Sequence, residues 1–301
     1  MAMTASDRAR KNRALQKFIA KRYQRRKIVN GLAYLAIGIA TLTALVPLFS
    51  VSEFILRKGL PGLNWDFFTG LPQPVGEPGS GMANSIVGTA ILVLLGSLIG
   101  LPWGIAIGIY LAEYGRGRAA GIVRFSVDML SSVPSIIVGL FVYTAIVVPM
   151  KQFSAFSGGV ALGILMIPTI ARSSEELLKL VPQHIREAGL ALGLPRWKVV
   201  LQIVLRGSMS GIITAVILAI ARVAGETAPL LFTAFNNRFW HDGLGQPISS
   251  LPVQIYTYAI SPYDEWHRQA WAAALVLVVF VFAVNLGART IFRNKTKGSH
   301  V

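Results

Sequence analysis

The chain has 301 residues, 53% hydrophobic and only 14% charged, with a mean hydropathy of +0.58, whereas soluble domains carry roughly 25% charged residues, so an ordinary water-soluble domain is excluded. The net charge is +16 and there is no cysteine, which rules out disulfides, thiolate metal sites and cysteine nucleophiles. The four histidines (His184, His241, His267, His300) are scattered and form no HExxH, and no lysine follows a glycine, so the chain carries no P-loop of its own.

Residues 1–27 form a basic tail with ten Lys and Arg. The tail lacks a signal-peptide cleavage site, and the apolar run after it is too long for a signal-peptide core. The first predicted span is 28–51, long enough to cross a bilayer with some tilt. A loop at 52–82, rich in Gly and Pro, lies outside the membrane. The second span covers 83–112 and ends in the polar turn 113–118. The third covers 122–149, with a kink expected at Pro134. The fourth is cleanly apolar only over 158–171, which is short; it is either extended by 153–156 or partly broken at Pro168, and interrupted spans tend to line binding pathways. A long polar segment, 172–206, follows with helical character. The fifth span is 211–234, the second large loop is 235–268, and the sixth span is 269–292 before a short basic tail at 293–301. This is an all-α integral membrane chain with six spans.

Six spans place both termini on one side. Of the 29 Lys and Arg, 23 fall on that side, five on the other and one, Arg222, inside a span. The asymmetry predicts a multi-pass protein of the cell membrane with both termini cytoplasmic. It also accounts for the net charge with no nucleic-acid partner, because the cations lie between apolar blocks and not on one phosphate-tracking face.

Within 172–206 stands Glu187-Ala188-Gly189, then three residues, Gly193, nine residues and Ile203-x-Leu205. The spacing resembles the EAA loop of ATP-binding-cassette importer permeases, EAA-x3-G-x9-I-x-LP. Two positions depart from it: Gly189 replaces the third-position Ala and Arg206 the final Pro. A helix over 182–192 would present Glu187, Gly193 would end it in a left-handed turn, and Pro195 would restart a second short helix with Trp197, Val200, Leu201, Val204 and Leu205 on an apolar stripe. From helical pattern alone, an amphipathic helix lying on the membrane remains the other reading. The resemblance implies a type I importer permease fold and a knob docked in a separate ATPase, which would bind the ATP and Mg. This chain then needs no cofactor and performs no enzymatic step.

The segments IYLAEY, SVDMLSSVPSIIVGL, GETAPLLFTAF and PISSLPVQIY extend the likeness over residues 80–292. There the chain resembles the A-type permease subunits of phosphate importers. That family implies four kinds of partner: a related permease subunit, two ATPase subunits, an extracytoplasmic phosphate-binding protein and the bilayer. Permeases for sulfate or molybdate, and an ATPase-independent channel or carrier, are the alternatives.

The residues also suit an anion. Arg222 lies midway in an apolar segment, where a cation costs at least ~2.5–3.5 kcal/mol. Glu226 follows four residues later and is expected on the same face. Arg172 stands at the end of the short fourth span. Arg222 and Arg172 would offer donors to phosphate oxygens in a transport path, with Glu226 orienting Arg222. Otherwise Arg222–Glu226 is a structural pair and Arg172 a snorkelling anchor. Arg124 and Asp128, four apart at the start of the third span, read as structural.

Overall fold

The computed structural model describes the backbone over residues 5–296 and side chains over residues 22–287. The chain divides into two units, residues 1–56 and 57–301. The first holds all but the last turn of the helix α1, Ala5–Gly59, which carries the basic tail and the first span. Leu32, Ile39, Leu42 and Phe49 lie exposed along it, as suits a helix bathed in lipid or covered by another chain.

The second unit begins with a 3-10 turn and the short helix α2, Trp65–Thr69, capped by the Asn64 side chain. Then come α3, Ala83–Ile109, closed by a π-turn at Tyr110–Tyr114; α4, Gly117–Ser132; α5, Ser135–Val142; and, after a second π-turn, α6, Val148–Met150. Next are α7, Ala155–Lys179; α8, Gln183–Ala191; α9, Arg196–Lys198, leading through a third π-turn at Val199–Val204 into α10, Leu205–Val223. The chain finishes with α11, Ala228–Thr233; α12, Leu251–Ala259; and α13, Asp264–Thr296. No strand occurs among the described residues.

Five helices are long and apolar enough to span a bilayer, and a sixth span is complete if the bent pair α4–α5 counts as one. That pair turns by 104°, far more than a proline kink. Val133 is extended, as a residue before proline prefers, and Pro134 then restarts the chain. The fourth span is extended at both ends: α7 begins at Ala155 and runs unbroken through Pro168, so residues 172–179 continue the same helix to Lys179. The fifth span begins at Arg196, not at 211, because α9, the π-turn and α10 form one continuous helix.

The core is a close seam between α3 and α7. Gly96, Gly100, Gly104 and Gly108 recur every four residues and face Leu162, Met166, Ile170 and Ser174 at the same interval. A Cβ on any of the four would fall 2.5–2.8 Å from the opposing Cβ. Gly159 and Gly163 of α7 answer in kind against Leu95 and Ile99. With no water to expel between spans, such small-residue ladders supply the attraction, since backbones approach and dispersion contacts multiply. Ala219 and Val223 of α10 and Leu230 of α11 join the same core.

Candidate functional site

The segment with the EAA-like spacing folds into α8 and a cap. Gly193 has φ +79°, its N–H bonds the Leu190 carbonyl, and the Leu194 N–H bonds that of Gly189. This is a Schellman motif, and only glycine meets its left-handed position without strain. Glu187 and Ala188 are exposed, whereas Gly189 is buried against Val199 and Ile203, whose side chains leave no room for a Cβ. Gly189 therefore fits its place by close approach. The expected second short helix is instead the start of the long fifth span. The π-turn shifts its register, so Val199, Val200 and Val204 are buried while Trp197 and Leu201 are exposed. Ile203 and Leu205 are half-buried on this rod.

Two charged residues unnoticed in the sequence fasten α8 to the spans. Glu113, in the π-turn after α3, receives Arg186 Nη2 at 2.6 Å and Nε at 3.0 Å. Arg186 also donates to the Leu178 carbonyl at 2.8 Å and to that of Val181. Its side chain is 13% exposed and that of Glu113 6%. Arg196 donates to the Glu113 carbonyl and lies 5.0 Å over the Tyr114 ring. The ends of α3, α7 and α8 and the start of the fifth-span rod thus meet at one buried ion pair.

Beside it, Glu175 of α7 gathers three cations. Arg124 reaches it at 2.7 Å, Arg172 at 3.0 Å and Lys179 at 2.5 Å, and its side chain is only 1% exposed. Arg172 also lies 3.5 Å from Asp128. Arg124 and Asp128 therefore reach across from α4 to α7 and do not pair along their own helix. Arg172 sits two turns inside α7, and its guanidinium is held by carboxylates.

The fifth span breaks where the sequence reads Ala224-Gly225-Glu226-Thr227. Helix α10 ends at Val223, tightening so that Gly225 N–H bonds the Arg222 carbonyl and Glu226 N–H that of Val223. Pro229, in the first turn of α11, explains the break: it has no N–H to give Gly225, and its ring would strike that carbonyl. The expectation that Arg222 and Glu226 share a helical face is corrected here. Arg222 is exposed in the last turn of α10, Glu226 is half-buried in the gap, and no ion pair joins them.

The description "Binding-protein-dependent transport system inner membrane component" matches residues 104–297. The chain belongs to this family. Among importer permeases in the curated proteins, the "Phosphate transport system permease protein PstA" of Xylella fastidiosa (strain 9a5c) is 48% identical over 276 residues, covering 91% of this chain and 96% of that one. The corresponding protein of Haemophilus influenzae is 44% identical, covering 89% and 94%. A "Probable phosphate transport system permease protein PstA" from Methanocaldococcus jannaschii is 36% identical, covering 87% and 92%. Solved importer structures share the fold. A bacterial ABC transporter "involved in the import of the acidic polysaccharide alginate" superposes with TM-score 0.65 at 15% identity, covering 93% of this chain and 99% of that one. An inward-facing MetNI methionine ABC transporter does so with 0.56 at 20%, covering 70% and 92%.

The type I importer permease fold thus carries two clusters at the α8 end and an interrupted span elsewhere. The sequence singled out Glu187, Ala188, Gly189, Gly193, Ile203 and Leu205 by spacing and Arg222, Glu226 and Arg172 by charge. It passed over Glu113, Arg186, Arg196 and Glu175. A signal for Glu175 was present, since Arg172 and Lys179 flank it at helical spacing once α7 is taken to run on. Glu113 stood as a lone acid ending an apolar block, a position that calls for a cation.

Proposed function

We propose that this chain is a permease subunit of an ATP-driven importer of inorganic phosphate and forms half of its translocation path by alternating access. The observation that carries the reading is the near full-length likeness, at up to 48% identity, to permeases named for phosphate transport. The finer assembly follows from the family. A related permease subunit completes the path, two ATPase subunits bind ATP and Mg, and an extracytoplasmic phosphate-binding protein delivers the anion. The charge asymmetry supports termini and α8 on the cytoplasmic side. The exposed Glu187 and Ala188 of α8 form the edge offered to the ATPase.

In the path, Arg222 supplies the fixed positive charge. It ends a helix at a break that leaves backbone polar groups in the span, an arrangement tolerated where a cavity is lined. Glu226 in the gap limits how tightly an anion is held. Arg172, engaged by Glu175 and Asp128, would meet phosphate only by exchanging one of these partners.

The test is phosphate uptake by the complete transporter in proteoliposomes. Arg222→Gln at normal assembly should abolish ATP-driven uptake, and this chain alone should transport nothing. Uptake of sulfate or molybdate in place of phosphate would replace the substrate. Uptake by the lone chain would overturn the ATP-driven mechanism.

A further inference from the structure

Behind α8, on the face carrying Gln183, Arg186 and Leu190, lies an open cavity of about 510 Å³. Its walls come from the π-turn after α3, the start of α4, the end of α7, α8 and the beginning of the fifth-span rod. Arg116, Arg124, Lys179, Arg186 and Arg196 line it, against the single carboxylate of Glu113. Glu113 is consumed by Arg186. Glu175 and Asp128, outside the lining, answer Arg124, Lys179 and Arg172. Counted with these neighbours, the cluster has six cations and three carboxylates, so it stays positive when every pair is made.

Donors are also left over. Arg124 spends Nε and Nη2 on Glu175. Arg196 gives Nη2 to a carbonyl. The exposed guanidinium of Arg116 has no partner among the described residues. Like charges brought together in a cleft with apolar walls, here Leu111, Val199 and Val200, repel one another and focus a positive potential. A multiply charged, fork-matching anion relieves both effects, and a phosphate group has the geometry that arginine forks meet.

We propose that this cavity binds a tetrahedral phosphate group, presented either by free inorganic phosphate or by the headgroup of an acidic phospholipid. Basic pockets between spans at a membrane face take such headgroups. Bound there, the group would bridge the ends of α3, α4, α7 and α8. It would hold α8 in the arrangement seen here, so that coupling answers to the anion on that side. This regulatory consequence rests on the importer reading; the binding itself does not.

The experiment uses the complete transporter carrying Arg222→Gln, which removes the proposed path arginine, in phosphatidylcholine nanodiscs. Hydrogen exchange of segments 110–118 and 183–200 is followed while inorganic phosphate replaces chloride at constant ionic strength, or phosphatidylglycerol replaces a fifth of the lipid. At ten times the dissociation constant, exchange through local opening should slow about tenfold. Protection by phosphate assigns the free anion, and protection by phosphatidylglycerol alone assigns the headgroup. Arg116→Glu should raise the dissociation constant at least about tenfold, the loss of one charge-assisted bond, cutting protection at the same concentration from about tenfold to about twofold, while Arg116→Lys retains most of it. Arg116→Gln replaces the reversal should that variant fail to assemble. No protection in either arm, or protection indifferent to Arg116, overturns the proposal. Phosphate uptake by the unmodified transporter is scored separately, so failure of the importer reading leaves this readout intact.

Discussion

Replacing Arg186 by Met tests whether α8 is fastened to the spans by the Glu113–Arg186 pair. Methionine keeps the apolar stem and removes five donor contacts, three to the carboxylate and two to carbonyls. Glu113 would keep its charge with a side chain only 6% exposed, and the Leu178 and Val181 carbonyls would lose their donor. Breaking a buried pair from one side costs ~3–5 kcal/mol, and solvent screening is small at these exposures. Glu113→Gln is milder at ~1–3 kcal/mol, because the amide oxygen still accepts from Arg186. The double variant should recover ~1–3 kcal/mol of the summed loss, the signature of direct coupling. Denaturant unfolding of the purified complex measures these values. Phosphate moved per ATP hydrolysed measures the consequence: hydrolysis should persist while uptake falls, because α8 no longer carries α3 and α7 with it. Additive single variants, or a cost for Arg186→Met below ~0.5 kcal/mol, would refute the reasoning.

The α3–α7 seam predicts opposite signs for one chemical change. Gly104→Ala sets a methyl 2.7 Å from the Ile170 Cβ and should destabilise by ~1–3 kcal/mol in thermal unfolding. Gly121→Ala on α4, with nothing within 4 Å, should be neutral or stabilise by up to ~1 kcal/mol through helix propensity. Gly193→Ala forces a side chain into φ +79°; it should cost ~1–2 kcal/mol and speed hydrogen exchange at the end of α8. Glu175→Gln leaves Arg124, Arg172 and Lys179 facing one another. Because these cations are 34–50% exposed, the expected loss is ~1–3 kcal/mol in unfolding measurements, partly restored by adding Arg172→Gln.

Hydropathy made the spans legible because the bilayer demands long apolar runs, and the loop spacing made α8 legible because Gly193 has only one conformational use. What escaped was every feature set by distant partners. The sequence around Pro134 announces a kink, but the size of the turn depends on what α4 and α5 pack against. Pro168 suggests a break, yet α7 passes through it, since buried neighbours such as Met166 and Ile170 hold the rod on both sides. At the fifth span the reverse held: Pro229 ended the helix, and the i, i+4 rule applied to Arg222 and Glu226 assumed a helix that stops between them. The glycine ladder of α3 was visible as a four-residue period, but its meaning required the matching period on α7. Glu113 finds its cation 73 residues away, beyond any local pattern, and Glu175 adds Arg124, 51 residues away, to the two cations that flank it at helical spacing.

The continuity of the fifth-span helix ties the two ends of the molecule together. Residues Arg196–Val223 form one helical rod of 28 residues, about 42 Å at 1.5 Å per residue. At one end it holds Val199 and Ile203 against α8, and at the other it carries Arg222 into the break at Ala224–Thr227. A helix is stiff along its axis, so a displacement of α8 needs no hinge to reach Arg222. The compliant points are the π-turn at Val199–Val204 and the break itself. The first lies inside the α8 contact, where Gly189 is pressed on Val199 and Ile203, so motion there is shared with α8. The second lies just beyond Arg222, between Val223 and Leu230, which pack into one core cluster. On the proposed function, a push on α8 would reach Arg222 along a stiff rod, and the break beside it would absorb the change in position relative to α11.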